Sequence, residues 1–341
     1  MGAGKTSGKL IVSLDFELMW GVRDIVTIKK YGGNIKGVHQ ALPKILSCFS
    51  EYGIKGTFAI VGFLFFENKD ELLSGIPVIM PSYNNQNLSP YGEYLENQVG
   101  KDEDSDPYHF GCQLTNLIKN TPHQEIGTHT FCHYYCLEEG QTVDEFREDL
   151  NAAIAIAAKR GITMTSIIFP RNQFNKDYLQ VCQEAGIISY RNNEESWLYN
   201  ARSFESESLL RRGLRLLDAY INISGHHCYN EEFLEENFPI NIPSSRFLRP
   251  YYKELHIFEG LRLKRIKTAM TYAAKNNLVY HLWWHPHNFG INQDQNFAML
   301  KKILQHYIYL NKKYAFTSYT MTELAREILD KKNSKQNIYA R

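Results

Sequence analysis

Residues Lys9-Leu10-Ile11-Val12-Ser13-Leu14-Asp15-Phe16-Glu17 carry an apolar β pattern straight into two carboxylates. Three further segments have this shape. Glu125-Ile126-Gly127 leads to His129-Thr130-Phe131-Cys132-His133, Ser166-Ile167-Ile168-Phe169 to Pro170-Arg171-Asn172-Gln173, and the run ending Leu282-Trp283-Trp284 to His285-Pro286-His287. Apolar strands with polar tips, repeated along a chain, are how a β/α barrel gathers a site at the carboxyl ends of its strands. The expected fold class is α/β, a deformed (β/α) barrel of six to seven strands.

The intervening sequence supports that reading. Residues 38–52 have helical periodicity and stop at Gly53, and GTFAIVG at 56–62 reads as the next strand. Strand, helix, strand implies parallel pairing. The alternation continues through strand 123–127, helix 143–160, strand 165–169, helix 176–185 and a short strand at 187–190. It resumes with helix 255–276, strand 278–284, helix 293–312, a short strand at 314–318 and helix 320–331. A single catalytic domain over 1–341 is expected, interrupted twice. Residues 76–112, rich in Pro, Asn, Asp and Tyr, read as a long loop over the barrel mouth, and 191–254, around a helix at 205–217, as an insertion shaping the cleft.

Charge narrows the function. The 38 Lys+Arg against 37 Asp+Glu give a net charge of +1, scattered rather than striped, which argues against a nucleic-acid partner. No run approaches the roughly 20 apolar residues of a membrane span. The six cysteines show no framework spacing and no signal-like stretch precedes the first motif, so a cytoplasmic protein with reduced thiols is expected; an oligomer is compatible with the sequence. Gly2-Ala3-Gly4-Lys5-Thr6 imitates the tail of a phosphate loop but lacks the preceding strand and the following helix. A structural zinc on Cys112, Cys132 and Cys136 is a minor reading, because no CxxC knuckle accompanies them.

The chemistry sits at the tips. On a helical turn, His129 and His133 would share one face. In a strand, Asp15 and Glu17 point to the same side, so one can complete a two-histidine, one-carboxylate metal site while the other stays free as a base. His285 is the natural proton donor, with His281 in the strand and His287 in the loop as competitors. Arg171 could pair with Asp15 or bind an acidic substrate. Aromatics make up 13% of the chain. Among those near the tips, Trp20 and Trp284 are expected as stacking faces for a sugar, with Asn172 and His287 as further substrate contacts.

In this order the residues resemble the polysaccharide deacetylases of the NodB-homology superfamily, carbohydrate esterases that remove N- or O-acetyl groups from sugars. The resemblance implies that Asp15 is the catalytic base and Glu17 a metal ligand, with Glu for the usual Asp and a one-residue spacer. His129-Thr130-Phe131-Cys132-His133 matches the motif H-S/T-x-x-H, which implies that both histidines bind metal and that Thr130 steadies the loop. GTFAIVG is similar to the second strand, and LWWHPHN to the last motif, with His285 as general acid. Phe169-Pro170-Arg171-Asn172-Gln173 departs from the usual Arg-x-Pro-aromatic order; Arg171 would keep its place beside the base, while the oxyanion contribution of this loop is unmatched. The resemblance covers roughly residues 9–190 and 278–320. It implies a divalent metal cofactor, zinc first with cobalt or nickel compatible, and hydrolysis of an acetyl group, N-acetyl first, on a sugar or glycan intermediate. An allantoinase-like cyclic-amide hydrolase of the same fold and a non-catalytic sugar-binding barrel are the alternatives.

Overall fold

The computed structural model describes residues 7–199, 209–236 and 238–339. The Gly2-to-Thr6 stretch and residues 205–208 of the expected helix lie outside the described residues. Among the described residues nine strands form one sheet: β1 (Lys9–Phe16), β2 (Gly56–Ile60), β3 (Glu125–Thr128), β4 (Ser166–Ile168), β5 (Ser189–Arg191), β6 (Ile240–Asn241), β7 (Arg246–Phe247), β8 (Val279–Trp284) and β9 (Thr317–Tyr319). The order is β6-β5-β4-β3-β2-β1-β8-β7, with β9 on β1, and the pairings are parallel.

The strand count exceeds the expected six to seven, and the difference lies in 191–254. β6 and β7 are two residues each, too short for alternation to register in the sequence. Ile242 N donates to Tyr190 O at 2.9 Å and Ser244 N to Asn192 O at 2.9 Å; Ser245 N then donates to His281 O at 2.8 Å and Leu248 N to Trp283 O at 2.7 Å. Residues 240–248 thus pass from the edge of β5 to the edge of β8. This part of the expected insertion is barrel wall.

Side-chain parity positions the site. Leu10, Val12, Leu14 and Phe16 of β1 join the large core under the helices, whereas Ile11 joins Ala59, Ile168, Ile240, Ile242 and Val279 in a second cluster within the barrel. Met321, Leu324, Ala325 and Ile328 of helix Met321–Tyr339 plug that cluster from below. Each fully buried aliphatic side chain contributes about 1.5–3 kcal/mol, so the plugged end is the stable one. The same parity continues up β1 through Ser13 to Asp15. The barrel interior therefore changes from apolar to ionic toward the carboxyl ends.

Helix Val38–Tyr52 closes at Gly53, whose φ of 65° is the left-handed conformation of a C-cap. Helix Val143–Lys159 opens on a Thr142/Glu145 capping box. Helices Ile28–Lys36 and Cys112–Asn120 were not expected; the first contains two adjacent glycines, poor helix formers that tertiary burial of Ile35 overrides. A Cβ on Gly290 would lie 1.9 Å from Asn34 O, so only glycine lets the turn after His285 press against this helix. The expected loop at 76–112 contains short helices at Gln86–Leu88 and Glu93–Asn97 and leads into helix Cys112–Asn120. Asp106 Oδ2 ties its far side together, accepting from Gly100 N and His109 Nδ1 at 2.7 Å each. Among the described residues no helix is long and apolar enough to cross a membrane.

Candidate active site

Glu17, His129 and His133, all buried, bring one ligand atom each to within 4.8 Å of one another. His129 Nδ1 lies 2.7 Å from Ile168 O; a carbonyl only accepts, so Nδ1 carries the proton and Nε2 presents its lone pair. Among the described residues that Nε2 has no hydrogen-bond partner; it sits 3.3 Å from Glu17 Oε2, and His133 Nε2 sits 3.1 Å from the same oxygen. Ligands about 2.0–2.1 Å from a tetrahedral ion stand about 3.3 Å apart, so the donor set and its spacing fit zinc. Burial alone would raise the Glu17 pKa, but the charge of His285 and the hydrogen bond from His133 hold it well below the usual carboxylate range. Glu17 folds back over Gly21, where a Cβ would stand 2.0 Å from its carboxyl carbon.

The histidines converge by a different route from the helical turn expected of their spacing. Residues 129–133 form a loop after β3, with Thr130 and His133 both at φ 64°. Such backbone is costly for residues with a Cβ and persists where surrounding bonds impose it. Thr130 Oγ1 donates to His129 O at 2.6 Å and accepts from Tyr134 N at 2.7 Å. The Asp149 carboxylate, from helix Val143–Lys159, accepts from Phe131 N at 2.7 Å and Cys132 N at 3.1 Å. Burial raises the Asp149 pKa to about 6. No spacing in the sequence singles Asp149 out from other mid-helix acids. Cys112, Cys132 and Cys136 are free, buried thiols that form no metal cluster among the described residues.

Asp15 is held by an arginine, but not the expected one. Arg191, the last residue of β5, grips Asp15 bidentately, Nη1 to Oδ1 and Nη2 to Oδ2, both at 2.7 Å. Arg171 instead pairs with Asp24, lies 3.8 Å from Glu138 and stacks 4.2 Å over the Tyr135 ring. The physical reason is direction: Arg171 sits in a tight turn at φ 53°, whereas Arg191 continues a strand whose side chain points inward. Burial alone would raise the Asp15 pKa; the charge of Arg191 outweighs it and lowers the pKa. A bonded chain supports the pair, as Arg191 Nη1 donates to Ser13 Oγ (3.0 Å) and Ser13 lies 2.8 Å from His281 Nε2. His281 is a bonded core histidine, pushed down by burial to about 3. Asn172, expected to touch substrate, spends its carbonyl oxygen on Arg191, at 2.8 Å from Nη2. The backbone N–H groups of Asn172 and Gln173 are bonded to Phe169 O and Pro170 O, so neither serves as an oxyanion donor.

His285 Nε2 lies 3.7 Å from Asp15 Oδ2 and 3.6 Å from Glu17 Oε1. Its side chain is 23% exposed, against 5% or less for Asp15, Glu17, His129 and His133, so it faces the opening. Its ring stacks on His287 at 4.8 Å. His287 is buried behind it against Tyr31, and burial, with the charge of His285, pushes its pKa to about 3. This places His287 beneath the site rather than in the exposed substrate-contacting loop expected.

Both expected stacking tryptophans are core. Trp20 is 1% exposed, with Nε1 donating to His109 O at 2.7 Å. Trp284 is 0% exposed and stacks on Phe289. The site aromatic is its neighbour, Trp283, since adjacent strand residues face opposite sides. Arg191 lies 4.1 Å over its ring, and it packs beside His285 and Phe247. On the opposite wall a cavity of ≈ 380 Å³ is lined by Arg171, Asp24 and Glu138 with Asn84 and Asn87 of the mouth loop. The Tyr135 ring touches both sides, 4.2 Å from the Arg171 guanidinium and 5.1 Å from the His133 ring.

Residues 36–189 match the family model described as "Polysaccharide deacetylase", a stretch that holds both histidines but not Asp15, Glu17 or His285. No curated protein matches by sequence. The fold is similar to that of a putative polysaccharide deacetylase from Mycobacterium smegmatis, with TM-score 0.60, 10% identity and coverage of 97% of this chain and 94% of that one. It is also similar to a probable polysaccharide deacetylase from Pseudomonas aeruginosa PAO1, with TM-score 0.53, 10% identity and coverage of 93% and 89%. PuuE allantoinase aligns with TM-score 0.52, 10% identity and coverage of 95% and 91%. At such identities the likeness is one of fold.

Proposed function

We propose that this chain, whose residues 36–189 match the polysaccharide deacetylase family model, is a hydrolase that removes an acetyl group, N-acetyl first, from a sugar or glycan intermediate with the aid of a divalent metal. The observation that carries this reading is the division of labour between two carboxylates two residues apart. Glu17 turns to the two histidines, while Asp15 is clamped by Arg191 with His285 beside it. Glu17, His129 and His133 would hold the metal, with zinc suiting the donors best and cobalt or nickel compatible. When bound, the metal polarises the acetyl carbonyl and lowers the pKa of water from about 15.7 toward about 7.

The remaining work falls to the chain's own residues. Asp15, kept ionised by Arg191, takes the proton from the attacking water. His285, the exposed member of the cluster, gives a proton to the departing nitrogen. Trp283 and Phe247 offer ring faces for the sugar on the His285 side. Arg171 acts as a cleft-wall contact to substrate rather than as a partner of the base.

The test is acetate release from small acetamido sugars and N-acetylglucosamine oligomers by the purified protein, before and after chelation and on return of zinc. Acetate release that chelation abolishes and zinc restores supports the reading. Turnover of a cyclic amide such as allantoin without acetate release would replace it with the cyclic-amide alternative.

A further inference from the structure

Arg249 lies two residues beyond Phe247, as His285 lies two beyond Trp283, and Phe247 pairs with Trp283 in the β7–β8 register. The register therefore carries Arg249 to the level of His285 at the barrel rim. Pro250 follows it, which favours extended backbone at Arg249 and keeps the strand's direction to that point. Its guanidinium lies 6.0 Å from the centre of the Phe247 ring, and that ring is 5.8 Å from the ring of His285. One aromatic ring thus links this cation to the proposed proton donor.

The other arginines packed into this wall have acidic partners. Arg191 holds Asp15, Arg246 holds Asp218, and Arg262 holds Glu259. Arg249 is half-buried, yet no carboxylate pairs with it among the described residues. Tyr199, Tyr252 and Tyr220 lie around it, and burial, with the charge of Arg215, pulls its pKa below the usual arginine value. A half-buried cation with no carboxylate partner among the described residues is a setting that an anion would relieve. An exposed tyrosine, Tyr252, stands at the same rim.

We propose that Arg249 is a specificity-determining residue that receives an anionic oxygen group, a phosphate ester or a carboxylate, on the sugar whose acetyl group is presented to His285. This rests on the deacetylase reading for the position of the sugar, but the anion preference can be measured without turnover. The guanidinium would pair with two oxygens of the anion while the sugar ring lies along Phe247 and Trp283. A neutral acetamido sugar would lack that anchor.

Calorimetric titration of the full chain with N-acetylglucosamine, N-acetylglucosamine 1-phosphate and an N-acetylhexosaminuronic acid tests this directly. The expected result is at least tenfold tighter binding of one anionic sugar than of the neutral one, a preference lost in Arg249→Gln and partly kept in Arg249→Lys. The lysine variant retains charge and controls for folding. The phosphate and carboxylate arms identify the source of the anion. Equal binding of neutral and anionic sugars, or a preference that survives in Arg249→Gln, would overturn the proposal. Acetate release from the same ligands reports separately on the deacetylase reading, because anion preference without acetate release would contradict only that reading.

Discussion

Two buried aspartate–arginine pairs stand on either side of the barrel wall, and they differ in what surrounds the carboxylate. Asp218, on the outer side, accepts from Arg246 Nη1 (2.6 Å), Tyr199 OH (2.7 Å), Ser224 Oγ (2.7 Å) and the N–H groups of Ile223 and Ser224 (2.9 Å each). Asp15, inside the mouth, has its two bonds to Arg191, and its other neighbour, His285, stays at 3.7 Å. In both, burial alone would raise the carboxyl pKa and the arginine overcomes it. The same ion pair is sealed in one place and left with spare acceptor capacity in the other. A saturated carboxylate can only hold structure; an unsaturated one, kept ionised, can take a proton.

The largest expected effect is at the open pair. Asp15→Asn should lower kcat by about 10²–10⁴, the range of a positioned general base, while retaining metal. Steady-state acetate release with metal analysis checks both halves, and undiminished turnover would remove Asp15 as the base. Next is the sealed pair, where Asp218→Ala leaves Arg246 buried without its carboxylate and should cost about 3–5 kcal/mol of stability. Denaturant melts measure that loss, while activity per folded molecule should stay near the parent's. A smaller contrast separates the two candidate arginines. Arg191→Gln should reduce kcat strongly, whereas Arg171→Gln, a change on the cleft wall, should act mainly on KM and by about tenfold or less, equivalent to about 1.4 kcal/mol. If Arg171→Gln were the more damaging to kcat, the assignment of Arg191 to the base would be wrong.

The smallest effect is the pH signature of the sealed pair. Asp218 has a folded pKa below its ordinary value of 3.8, so its contribution is fully present above that value and is lost as pH falls through the lowered folded pKa. The stability gap between the parent and Asp218→Asn should therefore narrow as pH is lowered below about 4. Melts at pH 6 and at pH 3 measure it; a gap that stays constant would mean that the pair contributes little through charge.

The strand tips were legible because a strand that ends at a site must change from apolar to polar at one position, and Asp15, Glu17, His129, His133 and His285 all lie at such changes. Parity made the Asp15/Glu17 pairing readable. The same parity, misapplied to the doublet Trp283-Trp284, selected the residue that faces the helices. Arg191 was hidden because β5 is three residues long, too short to mark its last residue as a tip, while Arg171 stood after a clearer apolar run. Asp149 acts through backbone N–H groups distant in sequence, and a contact of that kind leaves no spacing to read. The 191–254 stretch concealed two strands for the reason that β5 concealed Arg191.

The most direct test of the central claim is the divalent metal content of the purified protein beside a His129→Ala/His133→Ala double variant. The arrangement of Glu17, His129 and His133 predicts close to one ion per chain in the parent and none in a folded variant. A parent that takes up no zinc, cobalt or nickel, or a double variant that binds as much as the parent, would contradict it.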